Sequence, residues 1–129
     1  MHVTAVDAVA KKIVFLRQVC RLLALQDVEC VAGRVDPQSP GLSSLPEHAF
    51  DVIVSRAVGS IPYLLKLAAP FLASGGYVVL QRGHTGKQEI SDDPGLLQET
   101  GFQVVKIVAV NFSFFTYPRN LIIFAKSAS

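Results

Sequence analysis

An α/β domain with a mostly parallel sheet is the fold class that these 129 residues predict, and three observations predict it. Short apolar stretches alternate with stretches of helical periodicity, the order produced when strands are joined by crossover helices. One stretch, Phe50-Asp51-Val52-Ile53-Val54-Ser55, is apolar with no alternation, the pattern of a strand covered on both faces. The last two apolar stretches have no helix between them and read as an antiparallel pair. At this length the chain forms one domain at most, spanning 1–129.

The elements follow in order. Val3-Thr4-Ala5-Val6-Asp7 reads as a short buried strand ending in a carboxylate. The stretch 8–25 then carries Val9, Ile13, Leu16, Cys20 and Leu23 at helical spacing, with Lys11, Lys12, Arg17 and Arg21 off that stripe. Asp7 is either an N-cap for this helix, satisfying its orphan N–H groups, or a ligand-binding acid at a strand's carboxyl end, where its oxygens suit the hydroxyls of a ribose. Val28-Glu29-Cys30-Val31-Ala32 reads as the second strand, followed by Gly33-Arg34-Val35-Asp36. Three prolines, three serines and a glycine over 37–46 make that segment loop.

The buried strand at 50–55 ends at Arg56, whose charge must pair with a carboxylate or face a ligand. A helix is expected over 60–72, with Pro62 in its first turn and Pro70 ending or kinking it. A tight turn at Gly75-Gly76 leads to a strand at 77–81, then to the basic, glycine-containing loop Arg82-Gly83-His84-Thr85-Gly86-Lys87. That loop lacks the spacing of a phosphate-binding P-loop, and His84 has no neighbour at metal-ligand spacing. A modest helix at 89–100 is closed by Gly101. Strands at 102–110 and 121–125 finish the chain. The connection between them carries Phe112, Phe114, Phe115 and Tyr117, which could stack on bases or bury against the sheet.

Half of the residues are hydrophobic, enough for a core. No apolar run approaches the roughly 20 residues of a membrane span, and the start of the chain does not read as a signal peptide. Cys20 and Cys30 make no disulfide framework, so both are expected reduced, buried and structural, in a cytoplasmic protein. A net charge of +2 is too mild to identify a nucleic-acid partner by itself. No metal site is expected.

The wording of the chain narrows the class. Val6-Asp7-Ala8-Val9-Ala10-Lys11-Lys12 with Phe15-Leu16, then Gly33-Arg34-Val35-Asp36, then Phe50-Asp51-Val52-Ile53-Val54-Ser55-Arg56-Ala57, then Arg82-Gly83 with Glu89-Ile90, and Arg119 before Leu121-Ile122-Ile123-Phe124-Ala125-Lys126 together resemble the glucose-inhibited division protein B family. The resemblance implies a Rossmann-like class I S-adenosylmethionine-dependent methyltransferase fold with an antiparallel C-terminal hairpin. It also implies methylation of guanine N7 in 16S ribosomal RNA, as part of rRNA processing. By that likeness Asp7 holds the cofactor's ribose and Val35 and Asp36 lie beside its adenine. Arg56 stands at the cofactor and substrate end of the central strand. Arg34, Arg82 and Arg119 contact RNA phosphate or guanine, with Arg56, Arg82 and Arg119 the catalytic set. Arg82 stands where the family usually has Lys, and a planar fork is not a point charge. Guanine N7 carries no proton, so transfer to it needs alignment and charge stabilisation rather than a strong base.

One departure is large. The family has an N-terminal helical segment, a first strand and a glycine-rich loop, and the present sequence starts at what resembles the second strand. It therefore reads as N-terminally truncated, with half of the cofactor pocket outside it and two strand edges left open. The flanking strands could pair directly, two copies could complete each other as a homodimer, or the chain could belong to a longer reading frame, which is the favoured expectation. The alternative function is a non-catalytic RNA-binding or oligomerising remnant of the same fold. A nicotinamide-dependent oxidoreductase fits poorly, because the G-x-G-x-x-G fingerprint is absent.

Overall fold

The computed structural model describes residues 2–7, 10–33, 45–56, 60–83, 95, 97–110 and 119–126, with Asp7, Glu99 and Arg119 as backbone alone. Two compact units divide the chain, residues 1–45 and 46–129.

In the first unit, β1 (Val3–Asp7) pairs in parallel with β2 (Val28–Ala32), Val3 opposite Val28 and Asp7 opposite Ala32. A parallel pair requires a crossover, supplied by α1 (Ala10–Leu22). Ile13 anchors the helix at 0% exposure, and the Arg17 guanidinium donates to the Cys30 carbonyl at 3.0 Å. The apolar stripe expected through Leu23 stops short. The helix ends at Leu22, Ala24 takes a left-handed φ of 55°, and Leu23 is exposed.

The second unit is a four-stranded sheet in the order β3-β4-β6-β5, formed by β3 (Phe50–Arg56), β4 (Leu72–Gly83), β5 (Phe102–Val110) and β6 (Arg119–Lys126). β3 and β4 are parallel; β6 is antiparallel to both β4 and β5, the expected C-terminal hairpin. α2 (Ile61–Ala68) crosses from β3 to β4. The Ser60 hydroxyl caps it by accepting from the Tyr63 N–H, and Pro62 occupies the first turn. The helix is shorter than the span 60–72, because a helix cannot continue regularly through Pro70. Lys126 donates to the Ala69 carbonyl at 3.2 Å just beyond its end.

Ile61, Leu64, Leu65 and Ala68 of α2 bury against Val78 and Leu80 of β4, Ile122 and Phe124 of β6, and Phe102 of β5. That layer is the core of the unit.

Three further expectations change. The turn at 73–76 belongs to β4, which bulges there: the β3–β4 register slips between Phe50 and Val52, and Gly75 takes φ 79°. Of the helix expected at 89–100, the described part is a single 3₁₀ turn, Gln98–Thr100, closed as expected by a left-handed Gly101 at φ 74°. The strand at 50–55 was expected to be covered on both faces, yet Val52 and Val54 are exposed by 54% and 71%. The reason is topological: among the described residues of its unit β3 is the outermost strand, and α2 packs on the opposite face of the sheet. Among the described residues, the strands form a two-stranded sheet, β1-β2, and a four-stranded sheet, β3-β4-β6-β5.

Candidate functional site

Parallel strands leave their carboxyl ends side by side, and in open α/β sheets that is where ligands bind. At the ends of β3 and β4, Arg56 lies opposite Gln81, and across β4 Gln81 lies opposite Leu121. These three, with Val54, Ser55 and Val79, line an open cleft of about 360 Å³. The Ser55 hydroxyl donates to the Arg56 carbonyl at 2.9 Å. Among the described residues no carboxylate pairs with Arg56. The arrangement suits a planar, polar ring. Val54, Val79 and Leu121 offer apolar contact, Arg56 offers donors only, and the Gln81 carboxamide offers both a donor and an acceptor.

Sequence reasoning missed Gln81. Its signal was available: one amide at the end of the apolar run 77–80, two residues from Val79, which fixes it on the same sheet face as Val79.

Arg82 goes the other way. It alternates with Gln81, shares the face of Val78 and Leu80, is 8% exposed, and lies opposite Asn120 of β6. An arginine expected to meet RNA directly is thus a buried residue on the core side of the sheet. The backbone of Arg119 pairs with Gly83 at the exit of β4; its side chain lies outside the described residues.

In the first unit Asp7 is the last residue of β1, the predicted position for a ribose-binding acid, with its side chain outside the description. Arg34, Val35 and Asp36 also lie outside the described residues, as do His84 and the aromatic connection 111–118. Cys20 and Cys30 are free thiols, half-buried rather than buried. Loss of hydration raises the pKa of Cys30, and the hydrogen bond and charge of the Cys20 thiol add to this; the nearby Arg17 opposes it.

Solved structures similar to this chain include methyltransferases. A SAM-dependent methyltransferase from Aquifex aeolicus aligns over 95% of the chain and 68% of its own, with a TM-score of 0.71 at 14% identity. The precorrin-6y C5,15-methyltransferase of Geobacter metallireducens aligns over 98% and 67%, with a TM-score of 0.68 at 19% identity. At those identities the likeness establishes the fold, the α/β Rossmann-like fold of S-adenosylmethionine-dependent methyltransferases. The family is narrower: the GidB pattern, rRNA small subunit methyltransferase G, matches residues 1–119, and the chain belongs to that family. Proteins of that name in Deinococcus deserti and Geotalea uraniireducens are 34% and 35% identical over 98% and 99% of the chain, which covers 51% and 57% of theirs. The chain thus spans about half the length of the curated relatives it matches.

Proposed function

We propose that these 129 residues form part of one methyltransferase domain that transfers a methyl group from S-adenosylmethionine to guanine N7 of 16S ribosomal RNA in the cytoplasm. The observation that carries the reading is the family match over residues 1–119. Two features of the chain's own residues support it. An acid ends β1, and Arg56 ends β3 without a carboxylate partner among the described residues.

The residue types fit the cofactor. A carboxylate at a strand's carboxyl end accepts hydrogen bonds from a ribose diol, the role assigned to Asp7. Val35 and Asp36 take the adenine, through a backbone N–H and a carboxylate. When bound, S-adenosylmethionine supplies an electrophilic methyl group. The protein's part is to hold the base in line with it, because N7 needs no deprotonation. Arg56 compensates charge at the strand end, and Gln81 beside it can orient a base edge without proton transfer. Arg34 and Arg119 hold RNA phosphates, contacts that position the RNA and weaken with salt. Arg82, buried in β4, supports the site from the core side. The reading also includes a homodimer as the second way, after a longer chain, of completing the sheet.

Calorimetric titration of the chain with S-adenosylmethionine and S-adenosylhomocysteine tests this. Binding is expected, with Asp7→Ala weakening it by about 1.5–3 kcal/mol, the worth of a hydrogen bond to a charged group. Unchanged affinity in the variant removes Asp7 from the site. No binding at all means that the chain by itself is not the enzyme.

A further inference from the structure

The two thiols of the first unit have no part in the site described above, and they meet each other. Ile13, Arg17 and Cys20 follow at spacings of four and three along α1, so they share one of its faces. Ile13 turns that face inward, and Arg17 fixes it against β2 through the 3.0 Å hydrogen bond to the Cys30 carbonyl. One turn further on, the Cys20 thiol lies within hydrogen-bonding reach of the Cys30 thiol. Cys30 is itself held by the pairing of β2 with β1, opposite Ala5. Both thiols are half-buried and unbridged, and they are the two cysteines of the chain. Any disulfide within one chain is therefore this one. Reactive cysteines sit in partly exposed surroundings beside a cation, whereas structural ones are enclosed; this pair, with Arg17 against it, has the first kind of surroundings.

We propose that Cys20 and Cys30 form a reversible redox couple, which hydrogen peroxide oxidises to a disulfide that clips the end of α1 to β2. The Cys20 thiolate attacks one peroxide oxygen. The O–O bond breaks, Cys20 becomes a sulfenic acid, and the released hydroxide takes up a proton to become water. The Cys30 sulfur then attacks the Cys20 sulfur; the S–O bond breaks and hydroxide leaves with the Cys30 proton as a second water. Two thiols are oxidised and one peroxide is reduced. A dithiol reverses the bridge by exchange. The order of attack follows from the surroundings. Burial, with the hydrogen bond and charge of the Cys20 sulfur, pushes the Cys30 thiol above the usual thiol range against the pull of Arg17. A thiol kept protonated suits the second step, in which its proton leaves with the hydroxide. The bridge closes an 11-residue loop, 20–30. That loop holds the end of α1 and the left-handed Ala24, and within it the Leu23 and Leu25 N–H groups donate back to the Val19 and Cys20 carbonyls. A bond at Cys20 holds this turn against local opening. The couple lies wholly within residues 1–45 and uses no cofactor, so it stands apart from methyl transfer.

The test is titration of the reduced chain with hydrogen peroxide, followed by intact mass and peptide mapping. The mass of the monomer should fall by two hydrogens, both free thiols should disappear together, and one cross-linked peptide should join Cys20 to Cys30. Dithiothreitol should restore the starting mass. Amide exchange at Leu23 and Leu25 should slow by at least about tenfold in the bridged chain, since the turn can no longer open freely. Cys30→Ser should stop at a sulfenic acid on Cys20, which dimedone traps. Oxygen added to the parent thiols without a bridge overturns the proposal. So does a disulfide that forms between chains alone, or a bridge that leaves exchange at Leu23 and Leu25 unchanged.

Discussion

The two faces of the four-stranded sheet come from the same strands and differ almost completely. On one, α2 seals Ile122 and Phe124 to zero exposure, with Val78 and Leu80 at 1%. On the other, one residue along each strand, Val54 stands 71% exposed and Tyr77 45%. Composition does not explain this, since both faces are largely Val, Ile, Leu and aromatic. What differs is the covering layer. A sheet face becomes a core only when another element packs on it, and among the described residues of this unit α2 serves one side. The less covered side also carries Arg56 and Gln81 at the strand ends.

Substitution should reveal the asymmetry directly. Phe124→Ala removes a fully buried ring from the centre of the sealed face and is expected to cost about 3–5 kcal/mol, by lost transfer energy and a residual cavity. Urea unfolding followed by circular dichroism measures it. A cost under about 1 kcal/mol would mean that the sealed face is loosely packed and the contrast false.

Gly76→Ala probes the joint between β3 and β4. A Cβ there would meet Leu72 Cδ1 at 2.7 Å and the Asp51 carbonyl oxygen at 2.8 Å, and the second is backbone that cannot rotate away. About 1–3 kcal/mol of overpacking is expected, read from the same unfolding curves. Ser60→Ala sharpens the role of α2 alone. The hydroxyl accepts from the Tyr63 N–H, and its loss should cost about 1 kcal/mol. Gly and Asp at this position should restore most of it; if they do not, the serine acts through something other than the cap.

Most of this fold was legible in the chain because its signals are local. Asp7 ended its strand as expected, Ser60 and Pro62 marked a helix start, and the two-strand finish gave the hairpin. Pro70 was legible as a breaker, but Leu72 was placed in the helix because it continues the helical spacing, and a long-range pairing with Phe50 claims it for β4. The coverage of β3 was misread for a related reason. An unbroken apolar run records the environment a strand is suited to, while exposure depends on which neighbours are present. The site was legible only in part. Arg56 stood out as a charge after a buried strand, but Gln81 becomes its neighbour only once the parallel register is known. Arg82 is adjacent to Gln81 in sequence and faces the other way, a consequence of strand alternation that the motif Arg82-Gly83 conceals.

The smallest expected effect is the most discriminating. Val54→Thr keeps the branched shape and β-propensity of the side chain while replacing a methyl with a hydroxyl. At a buried site that exchange leaves a polar group needing a partner and costs roughly 1–3 kcal/mol. At 71% exposure the hydroxyl stays in water, and the change should fall within about 0.5 kcal/mol of zero. Urea unfolding of the chain alone should therefore scarcely distinguish Val54→Thr from the parent. A cost above about 1.5 kcal/mol would show that the face is already covered in solution, and the difference between the two faces would disappear.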